Sequence, residues 1–300
     1  MRREDHQFKS LGDMIKCSLF LPDTTNITIN TASNSLFPAV ILCHGAIDYK
    51  EHFFELAAFL AENGYAALAM DMHGHGESEG ARYHVRMQQW VPDIIAGLEF
   101  LSLHEKIDNS RIGAVGFSSG GTAILEAAIQ QASSKETISL KALVTLDATV
   151  KTIINPVETV VFKAISSLGR VKRKLLGNDI QIPLYDLAIK VPASCNPEVN
   201  DALHNDPYFE EGYKAYPLPG AVESLIIDTI KRVDKITIPV CVIHGEEDKV
   251  DSPDTARELY SKLKSKKALH IIPQSGHSGH LDYQKDKIYA LAKAWFDTCL

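Results

Sequence analysis

The run Ile112-Gly113-Ala114-Val115-Gly116-Phe117-Ser118-Ser119-Gly120-Gly121 decides the fold. Ile112 to Val115 reads as a short apolar strand, and Gly116-Phe117-Ser118-Ser119-Gly120 as a sharp turn. A small-residue helix follows: Gly121-Thr122-Ala123-Ile124-Leu125-Glu126-Ala127-Ala128. Gly-x-Ser-x-Gly alone says little, because glycine and serine are ordinary turn residues. Between a strand and a helix it has the setting in which a strained turn pushes a serine Oγ into the open. Glycines two positions either side let strand and helix approach closely. The helix N-terminus aims free N–H groups and partial positive charge at the same place. Ser118 is the candidate nucleophile.

A serine hydroxyl is a poor nucleophile until an imidazole takes its proton, and the imidazole needs an acid to orient it. Pro239 to Ile243 reads as a buried strand, Gly245 turns it, and Asp248 lies on the loop at its C-terminal end. Residues 268–272, Ala-Leu-His-Ile-Ile, form another strand, and Pro273-Gln-Ser-Gly-His277 is the loop after it. Ser118, Asp248 and His277 then stand in the order Ser…Asp…His, unlike the two other familiar triad orders. Asp147, ending the strand Ala142–Leu146, competes with Asp248 for the acid role. His280 competes with His277 for the base. Acyl transfer also needs preorganised N–H donors for the developing oxyanion. Ser119, just after the nucleophile, supplies one, and the loop after the strand Ala39–Cys43 supplies the other.

Four blocks carry a resemblance. They are Cys43-His44-Gly45-Ala46, the run Asp71-Met72-His73-Gly74-His75-Gly76-Glu77-Ser78-Glu79-Gly80, the Ser118 turn, and the pair Gly245-Glu246-Glu247-Asp248 with Ser275-Gly276-His277. The chain resembles α/β-hydrolases of the monoacylglycerol-lipase and serine-aminopeptidase-like group over nearly its whole length. The resemblance implies the α/β-hydrolase fold, triad roles for Ser118, Asp248 and His277, and Ala46 as the second oxyanion donor beside Ser119. It also implies a bias toward lipid esters, and cleavage of carboxylic esters of small to medium acyl chains is the expected activity. A peptidase, thioesterase or acyltransferase on the same triad is the alternative. The implied chemistry requires no cofactor and no metal.

The 300 residues, 45% of them hydrophobic, are enough for one large core plus an insertion. A net charge of −7 argues against nucleic acid as partner. The five cysteines, Cys17, Cys43, Cys195, Cys241 and Cys299, are scattered and odd in number, which favours reduced thiols over a disulfide framework. No apolar h-region follows the charged N-terminal residues, and no apolar stretch approaches the roughly 20 residues of a membrane span. A cytoplasmic enzyme acting on a small-molecule ester, without stable membrane insertion, is the expectation; oligomeric state is left open.

Strands alternate with helices, the signal for a mostly parallel sheet covered on both faces. The eight strand candidates are Ile15–Phe20, Ile27–Asn30, Ala39–Cys43, Ala66–Met70, Ile112–Val115, Ala142–Leu146, Val240–Ile243 and Ala268–Ile272. The helices between them are Glu51–Asn63, Gln88–His104, one opening at Ser252-Pro253, and Lys285–Cys299. The alternation fails between residues 148 and 235. The resemblance places a helical cap there, between strands 6 and 7, with 1–147 and 236–300 as the hydrolase core. The apolar run at 152–168, including Ile153, Ile154, Val157 and Val161, is expected to face inward over Ser118. His73 and His75 form an H-x-H pair near Asp71 and His84, short of a metal-ligand set. Gly74-x-Gly76 has the wrong spacing for a dinucleotide fingerprint.

Overall fold

A computed structural model of the chain describes residues 1–23, 36–134, 138–151, 155–224 and 226–300. The main sheet consists of β1 (Arg2–Ser10), β2 (Asp13–Leu21), β3 (Phe37–Cys43), β4 (Ala66–Met70), β5 (Ile107–Phe117) and β6 (Ala142–Leu146). Two very short strands, β7 (Gln181–Ile182) and β8 (Tyr216–Pro217), pair separately. The strands β9 (Val240–Gly245) and β10 (Lys267–Ile272) complete the sheet. Its order is β1-β2-β4-β3-β5-β6-β9-β10. From β4 to β10 all neighbours run parallel, whereas β1 pairs antiparallel with β2 and β2 antiparallel with β4. The sheet is therefore mixed, with the antiparallel hairpin β1–β2 at one edge. The expected strand Ile27–Asn30 lies outside the described residues, and β1 was not anticipated.

The central strands β3 and β4 are apolar at every position, as burial on both faces requires. In β3, Ala39, Ile41 and Cys43 face one core cluster while Val40 and Leu42 face the other. The first cluster holds Trp90, Ile94 and Leu98 from α2 (Met87–Ser102) and Ile124 and Ala128 from α3 (Ser119–Gln131). The second holds Leu56 and Leu60 from α1 (Phe54–Glu62). The helix expected at Glu51–Asn63 is a 3₁₀ turn, Lys50–Phe53, running into α1, and it stops where Gly64 takes φ +91°. Losing a side chain such as Leu60 from this packing costs about 2–5 kcal/mol.

Between β6 and β9 lie α4 (Pro156–Leu176), α5 (Tyr185–Ala188), α6 (Pro197–His204), α7 (Pro207–Lys214) and α8 (Leu218–Ser224). Helix α4 opens with a capping box: Glu158 N–H donates to the Asn155 side chain at 2.9 Å, and Asn155 N–H donates back to Glu158 at 2.9 Å. Asn196-Pro197 and Asp206-Pro207 start α6 and α7 in the same idiom of a side-chain cap followed by proline. The insertion rests on loops at the C-terminal end of the sheet. Tyr216 and Ala221 pack on Ile47 and Tyr83. The Tyr49 hydroxyl donates to Asp206 at 2.5 Å. Ser278 N–H donates to the Ala193 carbonyl at 2.7 Å.

The register of α4 departs from expectation. Its buried side is Ser166 and Gly169, where a β-carbon would come within 2.5 Å of Pro219. Val157 is 73% exposed and Val161 48% exposed, so neither faces inward. Ile153 and Ile154 lie outside the described residues. The remaining helices, α9 (Pro253–Lys262) and α10 (Lys285–Cys299), cover opposite faces of the sheet: Leu259 joins the first core cluster, and Ile288 and Phe296 join the second. Among the described residues no helix is long and apolar enough to cross a membrane.

Candidate active site

Ser118 sits between β5 and α3 with φ 49° and ψ −119°, a conformation a non-glycine residue adopts only under local constraint. The constraint is visible. Ser118 N–H donates to the Leu146 carbonyl at 2.9 Å, and its own carbonyl accepts from Thr122 and Thr149. A β-carbon at Gly116 would lie 2.4 Å from the Gly120 carbonyl oxygen, and one at Gly120 would lie 2.3 Å from that of His44. The two glycines of the motif are thus demanded by close approach of backbones. Ser119 opens α3, so its N–H has no acceptor within the helix and is free for a ligand.

The loop after β3 lies against this turn. A β-carbon on Gly45 would come within 3.1 Å of Ser118 Cβ, and Ala46 follows directly. The loop is tied from both sides. His44 Nδ1 donates to the Gly45 carbonyl at 2.7 Å, leaving Nε2 to accept from Met72 N–H at 2.9 Å. Asp48 accepts from Gly45 N–H (3.3 Å), Tyr49 N–H (2.8 Å) and His52 Nδ1 (2.6 Å). Burial opposes the Asp48 charge, but the charge and hydrogen bond of His52 outweigh it and hold the carboxyl well below the usual range.

His277 and Asp248 meet. His277 Nδ1 donates to Asp248 Oδ2 at 2.8 Å, and Val250 and Asp251 N–H donate to Oδ1 at 2.8 and 2.9 Å. Burial works against a charged His277 ring, but the Asp248 hydrogen bond and charge, backed by Asp251 and Asp147, raise its pKa above the usual imidazole value. His280, the rival base, is stacked on Phe53 with ring centroids 4.5 Å apart; burial drops its pKa to about 3, and among the described residues neither ring nitrogen has a hydrogen-bond partner. Asp147, the rival acid, accepts from Gly245 N–H at 2.7 Å, and burial lifts its pKa to about 7. The geometry pairs Asp248 with His277 and gives the rivals other surroundings.

Four residues beyond the sequence reading belong to this cluster. His244 Nε2 is 3.0 Å from Asp248 Oδ2 and 2.9 Å from the Asp251 carbonyl. Thr149 Oγ1 donates to Asp251 Oδ2 at 2.6 Å and lies 3.4 Å from Ser118 Oγ. Asp48 is the fourth. The signal for His244 was present: a histidine at the end of an apolar strand, four positions before the candidate acid. Asp147, His244 and Asp248 have ligand atoms within 4.8 Å of one another, but His244 Nε2 and Asp248 Oδ2 are already consumed by hydrogen bonds, so the donor set does not fit a metal.

The histidines of the glycine-rich loop diverge. His73 is held by Asp93 (2.5 Å) and Asp13 (3.3 Å), and His84 pairs with Asp179. His75 lies edge-on to Trp90 at 5.2 Å, with burial dropping its pKa to about 3. The loop turns instead on Asp71, whose carboxylate accepts from Lys50 N–H, Lys50 Nζ and Glu77 N–H. Gly76, at φ +50°, is packed on that carboxylate, where a β-carbon would lie 2.1 Å from Asp71 Cγ. His73 and His75 are structural parts of this turn.

Residues 35–284 match the family described as serine aminopeptidase, S33. The sequence is 24% identical to a carboxylesterase of Bacillus subtilis over 254 residues, 84% of this chain and 89% of that protein. It is 24% identical to a monoacylglycerol lipase of Mycolicibacterium smegmatis over 280 residues, 92% of this chain and 90% of the other. Among solved structures, the α/β-hydrolase GrgF from Penicillium superposes with a TM-score of 0.78 at 18% identity, covering 100% of this chain and 99% of that one. With its doubly covered sheet and strained serine turn, the chain belongs to the serine aminopeptidase S33 family and is a hydrolase of the α/β-hydrolase fold.

Proposed function

We propose that the protein is a serine hydrolase that cleaves carboxylic esters of small to medium acyl chains through Ser118, His277 and Asp248. The observation that carries this reading is the Asp248–His277 hydrogen bond in the loops beside a serine held at positive φ. Ser118 Oγ attacks the ester carbonyl as His277 takes its proton. Backbone N–H groups of Ala46 and Ser119 receive the oxyanion. The alcohol departs with the proton from His277, leaving an acyl-enzyme that water, activated by the same ring, hydrolyses. Asp248 fixes the tautomer that leaves Nε2 free as base and stabilises the imidazolium. The reaction uses a small-molecule ester and water, and none of its steps calls on a metal.

Residues 148–235 act as the cap in this reading. Ile47, Tyr83, Tyr216 and Ala221 form an apolar cluster between the oxyanion loop and the insertion, with Ile182, Leu184, Tyr208 and Tyr213 packed against it. This cluster fastens the insertion to the oxyanion loop, and an acyl chain held beneath such a cap would gain about 0.8 kcal/mol for each methylene it buries. The names of the Bacillus and Mycolicibacterium relatives support ester cleavage. A fluorophosphonate probe should label the protein at Ser118, and Ser118→Ala should abolish labelling and cut ester turnover by about 10⁴-fold or more. On p-nitrophenyl esters, kcat/KM should rise from acetyl to medium chains. Full activity in Ser118→Ala would overturn the mechanism, and cleavage of aminoacyl anilides in preference to esters would overturn the substrate class.

A further inference from the structure

The carboxylate assigned to orient His277 is shared. His244, at the end of β9, brings Nε2 to 3.0 Å from Asp248 Oδ2, the same oxygen that His277 Nδ1 occupies at 2.8 Å. The same ring nitrogen lies 2.9 Å from the Asp251 carbonyl. His244 is 1% exposed and the Asp248 side chain fully buried, so water does not compete for these contacts. The ring is anchored by the strand itself, where His244 stands in register with Ile271 of β10.

Resting on the triad reading above, we propose that His244 is a positioning residue: it holds Asp248 through the oxygen that His277 uses and competes with His277 for that carboxylate's charge. It thereby sets the pH at which His277 becomes a base. The His244 ring against Oδ2, with two backbone donors on Oδ1, holds Asp248 in the orientation that meets His277. The titratable groups facing His244 are Asp248 and Asp251 from its own loop, Asp147 from the loop after β6, and His277 from the loop after β10. Burial alone would discharge the ring. The Asp248 hydrogen bond and the Asp147 and Asp248 charges reverse that and lift its pKa to about 9, so it is an imidazolium at neutral pH. A cation on the shared oxygen cancels part of the negative potential that would otherwise favour protonated His277. His277 therefore sheds its proton at a lower pH than it would beside Asp248 alone.

The experiment compares pH profiles of kcat/KM for ester hydrolysis in the parent protein and in His244→Gln. Glutamine keeps an N–H donor near the position of Nε2 but carries no charge. The acid limb should move up by roughly one pH unit with the high-pH plateau nearly retained, because the cation is gone while a polar group still fills the place between Asp248 and the Asp251 carbonyl. His244→Leu, lacking donor and charge, should lower the plateau as well. An acid limb unmoved in His244→Gln overturns the proposal, since a merely structural ring would not set it. Should the variants fail to fold, ¹⁵N-histidine NMR of the unmodified protein decides: a protonated His244 ring near pH 7 supports the proposal, and a neutral one overturns it. Fluorophosphonate labelling of Ser118 in the unmodified protein separates the two readings. If labelling persists while the limb does not move, this inference alone fails; if Ser118 is not labelled, the triad reading fails.

Discussion

The serine turn and helix α4 are both built on a sequence motif, and they use it in opposite ways. Around Ser118 every motif residue is fixed by contact: Gly120 on the His44 carbonyl, Gly45 on Ser118, Asp248 on two histidines. Along α4 the motif is an apolar stripe, and the stripe faces outward. Val157, Val160, Leu168, Val171 and Leu175 are all more than half exposed, while a serine and a glycine make the contact with α8. Packing at the first site leaves no tolerance for a methyl group. At the second, the side chains could change without disturbing a neighbour. A local pattern is therefore strong evidence of structure only where the fold supplies the opposing surface.

Three perturbations bear on that contrast. The largest effect belongs to Gly120→Ala. Its β-carbon would meet the backbone oxygens of His44 and Cys43 at 2.3 and 2.4 Å, so the strand–helix junction must move. A loss of about 3 kcal/mol or more in denaturant unfolding is expected, with Ser118 labelling falling alongside as the oxyanion loop shifts. A variant as stable and as readily labelled as the parent would break the comparison at its stronger end.

Next comes Asp147→Asn, which probes the buried cluster by pH. Burial lifts the Asp147 pKa from 3.8 to about 7, so between these values the folded protein binds a proton that the unfolded chain releases. Stability from this group is fully present below the unfolded value and declines as pH rises through the window. Asparagine can still accept from Gly245 N–H and does not titrate. The variant should therefore gain on the parent as pH rises from about 4 to about 7, by on the order of 3 kcal/mol. Parallel stability–pH curves for the two proteins would show that Asp147 is not held in its neutral form.

The smallest effect is expected at Val157→Ser. With the side chain 73% exposed, stability should change by less than about 0.5 kcal/mol and labelling should stay at the parent level. A large loss in thermal unfolding would mean that the α4 face is covered in solution, which would sharpen the contrast into one between two buried regions.

The same contrast explains what could be read from the chain. Strands β4 and β6 and helix α10 were legible to the residue, because continuous apolar runs and a clean helical period have one reading in a doubly covered sheet. Loop position narrowed the acid and base to Asp147 or Asp248 and His277 or His280, since all four follow strands at the C-terminal end of the sheet; the preference for Asp248 and His277 came from the resemblance. Strand β1 was hidden: His6 and Phe8 turn inward against Phe100, but the residues between are charged or polar, which obscures the period of two. For α4 the period was plain but its direction was not, because a stripe does not say whether a partner surface exists. His244 escaped because a histidine ending an apolar strand is ordinarily a core residue, and its partner four positions on was visible only as the acid for another ring.

Strand β1 carries a consequence for the life of the chain in a crowded solution. An outermost strand offers unpaired peptide groups to any unfolded neighbour and is where sheet proteins begin to aggregate. Here Arg2, Arg3, Asp5, Gln7 and Lys9 are exposed along that strand. A chain trying to add itself there would have to strip water from a row of mixed charges and find matching partners for them. The residues that concealed this strand from a hydrophobic pattern thus guard the open side of the sheet against self-propagating growth.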